Sequence, residues 1–233
     1  MRLDKFIANN TQFSRAQIHS AIKQGLVTLN NETVKNAALH INAEDTVTLN
    51  GQAIELRQPR YLMLYKPAGH VSANHDSEHP TLIDLLDLPF KHELQIAGRL
   101  DVDTTGLVLL TDDGQWNHRI TSPRHMHTKS YLVTTADPIP EVVKAIFAEG
   151  VILHGESRPT LPADLTILGP HRARLSICEG KYHQVKRMFA AAGNRVTALH
   201  RERIGDIMLD EDLKPGQYRA LSATEINSFG KNL

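Results

Sequence analysis

Covalent cross-links and membrane segments are both missing from this sequence. Its 233 residues include a single cysteine, Cys178, so the chain cannot form an internal disulfide, and a lone thiol suits a reducing compartment. No apolar run approaches the roughly 20 residues that a membrane-spanning helix needs, and no signal-peptide pattern opens the chain. With 41% hydrophobic and 22% charged residues, we expect a globular protein of the cytoplasm that acts as a monomer without a membrane segment.

The usual cofactor motifs are also absent. There is no Gly-x-x-x-x-Gly-Lys phosphate loop and no Gly-x-Gly-x-x-Gly turn, so nucleotide-cofactor chemistry has no support. Thirteen histidines suggest metal binding, and His125 and His127 are the best-spaced pair. No cysteine or acidic residue accompanies them at ligand spacing. We therefore expect neither a cofactor nor a bound metal.

The formal net charge is zero, which by itself argues against a nucleic-acid partner, but the charges are segregated along the chain. Residues 171–205 contain eight Lys or Arg against two Glu, and residues 117–131 contain three cations and no acid. This segregation predicts a basic face for phosphate contacts, although cations scattered over a solvated surface are an equal alternative. The cations are Arg119, Arg124, Lys129, Arg172, Arg174, Lys181, Lys186, Arg187, Arg195, Arg201 and Arg203.

The stretch at residues 97–114 organises the rest of the chain. Its apolar run at residues 107–110 is too short for a helix and predicts a buried strand. A polar loop carrying Arg99, Asp101 and Asp103 precedes the strand. A loop that packs against a buried strand holds a reactive side chain in a fixed position. Asp101 is the residue that we expect to be reactive.

Two other interpretations of the same loop compete. Asp101, Asp103 and Asp112 fall at positions 1, 3 and 12 of a calcium-binding loop, but Thr105 and Leu109 occupy other ligand positions, and a strand follows where a helix should. Alternatively, Asp101 only caps the loop or pairs with Arg99. Spacing alone does not decide against this second interpretation.

Residues 1–57 predict a small separate unit. Apolar residues at helical spacing follow Arg2, and Ser14 with Gln17 forms a capping box for a second helix. Two hairpin-like runs come next, with turns at residues 30–31 and 50–51. The helices carry the cations Arg2, Lys5, Arg15 and Lys23. Helix, helix and small strands resemble the RNA-binding module first named from a small-subunit ribosomal protein; the alternative is a small α+β subdomain without RNA-binding function.

A linker around Pro59 separates this unit from a second domain at residues 61–233. Strands are predicted at residues 61–65, 128–134 and 173–178, with a turn beginning at Lys66 after the first strand and a short helix at residues 82–88. Lys129 and Tyr131 share one face of the strand at residues 128–134. A helix after Glu179 buries the stripe at residues 185, 188, 189 and 192, so His183, Lys186 and Arg187 cannot all face the core. We expect an α+β protein whose second domain has a mixed, mainly antiparallel sheet.

The run GRLDVDTTGL at residues 98–107 resembles the catalytic signature of the pseudouridine synthases, in the branch that modifies small-subunit ribosomal RNA. The resemblance implies that Asp101 is the indispensable catalytic group and that Tyr131, in a Lys-x-Tyr motif, lies against the target uracil. It also implies that Lys186, in a His-Gln-x-basic motif, pairs with Asp101. The remaining expected RNA contacts are Arg99, Lys129, His183, Arg187, Arg2, Lys5, Arg15 and Lys23.

The implied reaction isomerises a uridine to pseudouridine without a cofactor, and the expected substrate is 16S ribosomal RNA. The same motifs also fit a uridine in large-subunit (23S) RNA, and a non-catalytic assembly factor would keep the basic helices without needing Asp101. Several points stay open at this stage: which uridine is modified, whether free RNA or a partly assembled small subunit is recognised, and whether Asp101 acts as nucleophile or base.

Overall fold

The computed structural model describes residues 1–42 and 44–230, and it consists of two compact units that divide between Gln58 and Pro59. None of the helices in these residues combines the length and apolar character that a membrane crossing requires.

The first unit consists of two helices followed by a four-stranded antiparallel sheet in the order β2-β1-β3-β4. Its elements are α1 (Leu3–Asn10), α2 (Arg15–Lys23), β1 (Val27–Leu29), β2 (Glu32–Thr33), β3 (Val47–Leu49) and β4 (Gln52–Ala53). The predicted capping box is present: Gln17 N–H donates to Ser14 Oγ at 3.3 Å, and Ser14 N–H donates to Gln17 Oε1 at 2.8 Å. Both helices bury their apolar stripes against the sheet in one core.

The second unit is built on a sheet in the order β13-β5-β7-β11-β8-β10-β9, with β6 paired to β7 and β12 to β11. Its strands are β5 (Tyr61–Lys66), β6 (Gln95–Ala97), β7 (Thr105–Thr111), β8 (Lys129–Thr135), β9 (Asp164–Gly169), β10 (Arg172–Ile177), β11 (Val196–Ile204), β12 (Ile207–Met208) and β13 (Tyr218–Ala220). Its α-helices are α3 (Gly114–Thr121), α4 (Val142–Glu149), α5 (Gln184–Ala191) and α6 (Ala223–Asn227). Among the strands named here, β7 and β11 pair in parallel and the other pairs are antiparallel, which confirms the expected α+β class with a mixed, mainly antiparallel sheet.

Strand β7 lies in the middle of this sheet and is buried on both faces. Val108 and Leu110 point into one core, and Leu107 and Leu109 into a second core that contains Trp116. A strand covered on both sides has no solvent face, so its sequence is a continuous apolar run rather than an alternating pattern.

Two predicted boundaries differ from the structure. Helix α5 begins only at Gln184, because His183 adopts a left-handed backbone conformation (φ 46°) that ends the preceding turn. The short helix predicted at residues 82–88 is one 3-10 turn over Leu82–Leu85. The sequence pattern does not predict strands β9 and β11, since apolar and polar residues do not alternate along the whole length of either strand.

Candidate active site

The loop that carries Asp101 connects β6 to β7 and borders a cleft of about 700 Å³. Asp101 lies in the middle of this loop, at residues 98–104, while Lys129 and Tyr131 enter the cleft from β8. His183 reaches it from the start of α5. Residues that are far apart in sequence therefore meet around one carboxylate.

Lys186 and His183 both approach the Asp101 carboxylate. Lys186 Nζ lies 2.9 Å from Asp101 Oδ2 and 2.6 Å from Asp103 Oδ1, so one ammonium bridges the two acids of the loop. His183 Nε2 lies 3.4 Å from Asp101 Oδ1. His183 is the residue just before α5 and Lys186 lies in the first turn of that helix, so one short segment supplies both contacts.

The charges of this cluster stabilise one another. Burial by itself lowers the pKa of Lys186, but its hydrogen bonds to Asp103 and Asp101 outweigh burial and hold the pKa above the usual lysine value. Burial by itself raises the pKa of Asp103, but the hydrogen bond and charge of Lys186 outweigh it and hold that pKa below its usual value. The site therefore keeps Lys186 as a cation and Asp103 as an anion at neutral pH.

Two buried cations hold the main chain of the Asp101 loop. Lys66, at the end of β5, is fully buried, and its Nζ donates to Thr104 O at 2.7 Å, Pro67 O at 3.0 Å and Val102 O at 3.1 Å. Burial lowers the pKa of Lys66 to about 8. Because its partners are neutral carbonyl groups, this lysine fixes the backbone of the loop and pairs with no carboxylate there.

Arg201 is the second buried cation, with 1% of its surface exposed. Its Nε donates to Leu107 O and its Nη2 to Gly98 O, both at 2.8 Å, so one guanidinium holds the chain before and after Asp101. Arg201 is also the cross-strand neighbour of Tyr131, whose ring centroid lies 6.0 Å from the guanidinium carbon. Arg201 thereby links the loop of Asp101 to the strand of Tyr131.

Gly106 allows β7 to pass this close to β11. A Cβ at this position would lie 2.3 Å from the main-chain oxygen of Arg201, and φ is +108°, so no other residue fits. The parallel pairing of Arg201 with Gly106 fixes where the Asp101 loop ends.

The other second-unit residues predicted to bind RNA take different positions. Arg99 is exposed and Lys129 is half-buried, and both border the cleft. Burial lowers the pKa of Lys129, whose Nζ donates to His127 O at 3.1 Å. Arg187 does not border the cleft: it is paired with Glu156 at 3.4 Å and donates to the carbonyl groups of His154 and Tyr182.

The predicted basic face needs one correction. Arg201 was counted among its cations, but it is buried beneath the loop, because its guanidinium satisfies main-chain carbonyls there. Arg174 is neutralised by Glu202 at 2.8 Å. In the first unit, Arg2 forms an ion pair with Asp4 at 2.6 Å, whereas the side chains of Lys5, Arg15 and Lys23 are exposed.

Sequence reasoning missed Lys66 and Arg201 as parts of the site. The Pro67 that follows Lys66 predicts a turn beginning at Lys66, whereas Lys66 is the last residue of β5. A signal for Arg201 was present: it stands two residues after the buried Leu199, so the alternation of a strand places both on one face. Within residues 1–42 and 44–230, no group of three or more His, Cys, Asp or Glu side chains is placed to hold a metal, and Asp101 and Asp103 share Lys186 instead.

The second unit is a mixed sheet on which Asp101, paired with Lys186, borders a cleft. The model of the RNA pseudouridylate synthase family matches residues 60–191, more than half of the chain, and the S4 domain model matches residues 1–47. The chain therefore belongs to the RNA pseudouridylate synthase family and is an isomerase of that class. The S4 match confirms the expected small RNA-binding module.

Relatives match the chain over its whole length. The ribosomal small subunit pseudouridine synthase A of Haemophilus influenzae is 52% identical over 232 residues, which cover 99% of this chain and 100% of the relative. The protein of the same description from Escherichia coli K12 is 53% identical over 229 residues, which cover 98% and 99%. The crystal structure of a pseudouridylate synthase matches with a TM-score of 0.72 and 51% identity over 98% of this chain and 99% of that one.

Proposed function

We propose that this chain converts one uridine of 16S ribosomal RNA to pseudouridine and that Asp101 is the catalytic carboxylate. The observation that carries the proposal is the position of Asp101, on a loop held by two buried cations, with Lys186 Nζ 2.9 Å from its Oδ2. The choice of 16S RNA is supported by the description of the relatives, which are about half identical over their full length.

The reaction breaks the bond between uracil N1 and the ribose, turns the base and joins its C5 to the same ribose carbon. C5 then loses its proton and N1 gains one, so the product is an isomer of the substrate. Nothing is oxidised or reduced. The uridine must leave its stack to reach the cleft, which costs a few kcal/mol. Asp101 then attacks the anomeric carbon or removes a sugar proton, and both steps use the same ionised carboxylate. Lys186 holds Asp101 Oδ2, His183 Nε2 lies 3.4 Å from Asp101 Oδ1, and the residue borders the cleft that receives the base.

The remaining cleft residues orient the RNA. Tyr131 lies in the interior of the cleft with 7% of its surface exposed, where its ring stacks on the flipped uracil. Arg99, exposed beside Asp101, fills the gap that the flipped base leaves. Lys129 and His183 contact the ribose and phosphates of the target. In the first unit, the cations Arg2, Lys5, Arg15 and Lys23 make phosphate contacts that position the RNA without reading its bases.

We further propose that the protein works as a monomer in the cytoplasm. Its substrate is 16S RNA, free or within a partly assembled small subunit. To decide between these two substrates, the pure protein is incubated either with free 16S RNA or with partly assembled small subunits. Pseudouridine is then measured in each, because only the recognised form is converted.

Carbodiimide-based mapping of pseudouridine in both ribosomal RNAs tests the proposed function. Cells that lack the protein should lose one signal in 16S RNA, and the wild-type gene should restore it. Asp101→Asn, which keeps the shape and removes the charge, should not restore the signal. Asp164→Asn serves as the matched control, because Asp164 is exposed at the start of β9 and does not border the cleft.

Each other outcome contradicts part of the proposal. A signal lost from 23S RNA would reassign the substrate. Restoration by Asp101→Asn would show that another group is catalytic. Unchanged maps, together with tight binding of the pure protein to 16S RNA, would indicate a non-catalytic assembly factor.

A further inference from the structure

Tyr182 presents a large aromatic ring to solvent at the border of the Asp101 cleft. With 76% of its surface exposed, it is the most exposed large hydrophobic side chain in the described part of the second unit, and it borders the same cleft as Asp101 and Tyr131. A tyrosine in this position contributes little to a core. Its ring is available for a ligand.

One face of the Tyr182 ring is already covered. The His183 ring lies parallel to it, with centroids 3.8 Å apart and an angle of 20° between the planes. His183 in turn approaches Asp101 at 3.4 Å. The stacked pair therefore extends from the catalytic carboxylate to the rim of the cleft, and the exposed area of Tyr182 includes the face turned away from His183.

The segment that carries this pair is held before any RNA binds. Arg187 donates to Tyr182 O at 3.0 Å and to His154 O at 2.7 Å, and it is paired with Glu156. Lys181 also pairs with Glu156, at 2.8 Å. Two cations on one carboxylate tie both sides of Tyr182 to a neighbouring loop, so the backbone that carries the ring loses little freedom when a ligand binds.

The backbone at His183 supports the same interpretation. A residue other than glycine with φ of 46° is strained, and such strain persists only where surrounding contacts impose it, often at functional sites. The left-handed conformation is what turns the chain from the exposed Tyr182 into helix α5.

We propose that the stacked pair of Tyr182 and His183 is a platform for an unpaired nucleobase next to the target uridine. Flipping the uridine unstacks its neighbours, and unstacked RNA bases bind to exposed aromatic side chains. Tyr131, in the interior of the cleft, is the partner of the target base, so the ring at the rim takes an adjacent base. The assignment of the platform to a base beside the target rests on the proposed function, because it assumes that a uridine enters the cleft.

Equilibrium binding of the full-length protein to a 16S RNA fragment that contains the mapped uridine provides the first test. Tyr182→Ala should weaken binding by roughly 5-fold to 150-fold, the usual range for loss of one base–aromatic stack. Tyr182→Phe should stay within about 2-fold of wild type because it keeps the ring, and Tyr182→Leu should resemble Ala. Val142→Ala is the matched control, since Val142 is 61% exposed on α4 and lies outside the cleft lining.

Removal of single bases from the RNA provides the second test. An abasic site at the position that stacks on Tyr182 should weaken binding to wild type and add no further loss to Tyr182→Ala. Wild-type affinity in Tyr182→Ala, or equal further losses at every abasic position, would overturn the platform. Pseudouridine formation by wild type on the same fragment is measured separately. Its absence would refute the proposed function and would leave the binding comparison valid.

Discussion

Arg201→Met tests how firmly the Asp101 loop must be held. The substitution removes a buried guanidinium that donates to Leu107 O and Gly98 O, both at 2.8 Å. Methionine fills most of the volume but donates no hydrogen bond. Two main-chain carbonyl groups, one on each side of Asp101, therefore lose a donor at 2.8 Å, and Arg99 O loses a longer and weaker bond at 3.5 Å.

The expected loss follows from these two bonds. A hydrogen bond to a charged group contributes about 1.5–3 kcal/mol to stability, so two of them contribute about 3–6 kcal/mol. Removing the buried charge offsets part of this loss, because a desolvated guanidinium is costly. We expect the free energy of unfolding to fall by about 3–4 kcal/mol, which leaves a domain of ordinary stability folded. The freed loop displaces Asp101, and a shift of about 1 Å lowers the rate roughly 100-fold.

Urea unfolding followed by fluorescence measures the stability. Trp116 is the single tryptophan, fully buried in the second unit, so its signal reports on the unit that contains Arg201. Single-turnover pseudouridine formation measures the rate. Arg201→Lys keeps the charge but lacks the planar guanidinium group, so its stability and its rate should lie between those of wild type and Arg201→Met. Arg172→Met, at an exposed strand position, should stay within about 0.5 kcal/mol of wild type. A loss below about 1 kcal/mol in Arg201→Met, with a wild-type rate, would refute this reasoning.

Three further predictions concern other parts of the protein. Tyr131→Phe should keep most of the single-turnover rate, while Tyr131→Ala should lose about tenfold to a hundredfold, because only Ala removes the stacking ring; equal inactivity would show that the hydroxyl is required. Burial lowers the folded-state pKa of Lys66 to about 8. Between about pH 8 and 10.4 the unfolded chain therefore binds more protons than the folded chain, and the stability of wild type rises with pH. Across this window the unfolding free energy of wild type should increase by up to roughly 3 kcal/mol relative to that of Lys66→Met. If the unfolding free energies of the two proteins changed equally with pH, the lowered pKa of Lys66 would be contradicted. Replacing the exposed Lys5 and Lys23 with Gln should reduce the slope of log RNA affinity against log salt by about 1.4 to 1.8 if both contact phosphates. The control Lys35→Gln should leave the slope unchanged. An unaltered slope in the double variant would show that Lys5 and Lys23 do not bind RNA.

Local patterns in the sequence were enough to predict several elements of the fold. The capping box of Ser14 and Gln17 marks the start of α2, because both partners lie within one helical turn. The apolar run at residues 107–110 predicts the buried strand β7, and the stripe from Val185 to Ala192 predicts α5. The motif around Asp101 predicts the family, which the comparisons confirm. Each of these signals is contained in a few neighbouring residues.

Only the tertiary structure decided what surrounds Asp101. Lys66 looks in sequence like an ordinary exposed cation, and the strand alternation that places Arg201 on the face of Leu199 does not identify its partners. Both cations are buried because the order of β5, β7 and β11 in the sheet places them beneath the Asp101 loop. The bridging of Asp101 and Asp103 by Lys186 has the same cause, since α5 reaches the loop across more than eighty residues of chain. Local periodicity determines which face of an element is buried. Which carbonyl or carboxylate a buried cation meets depends on strand order and register, and these are set by long-range packing.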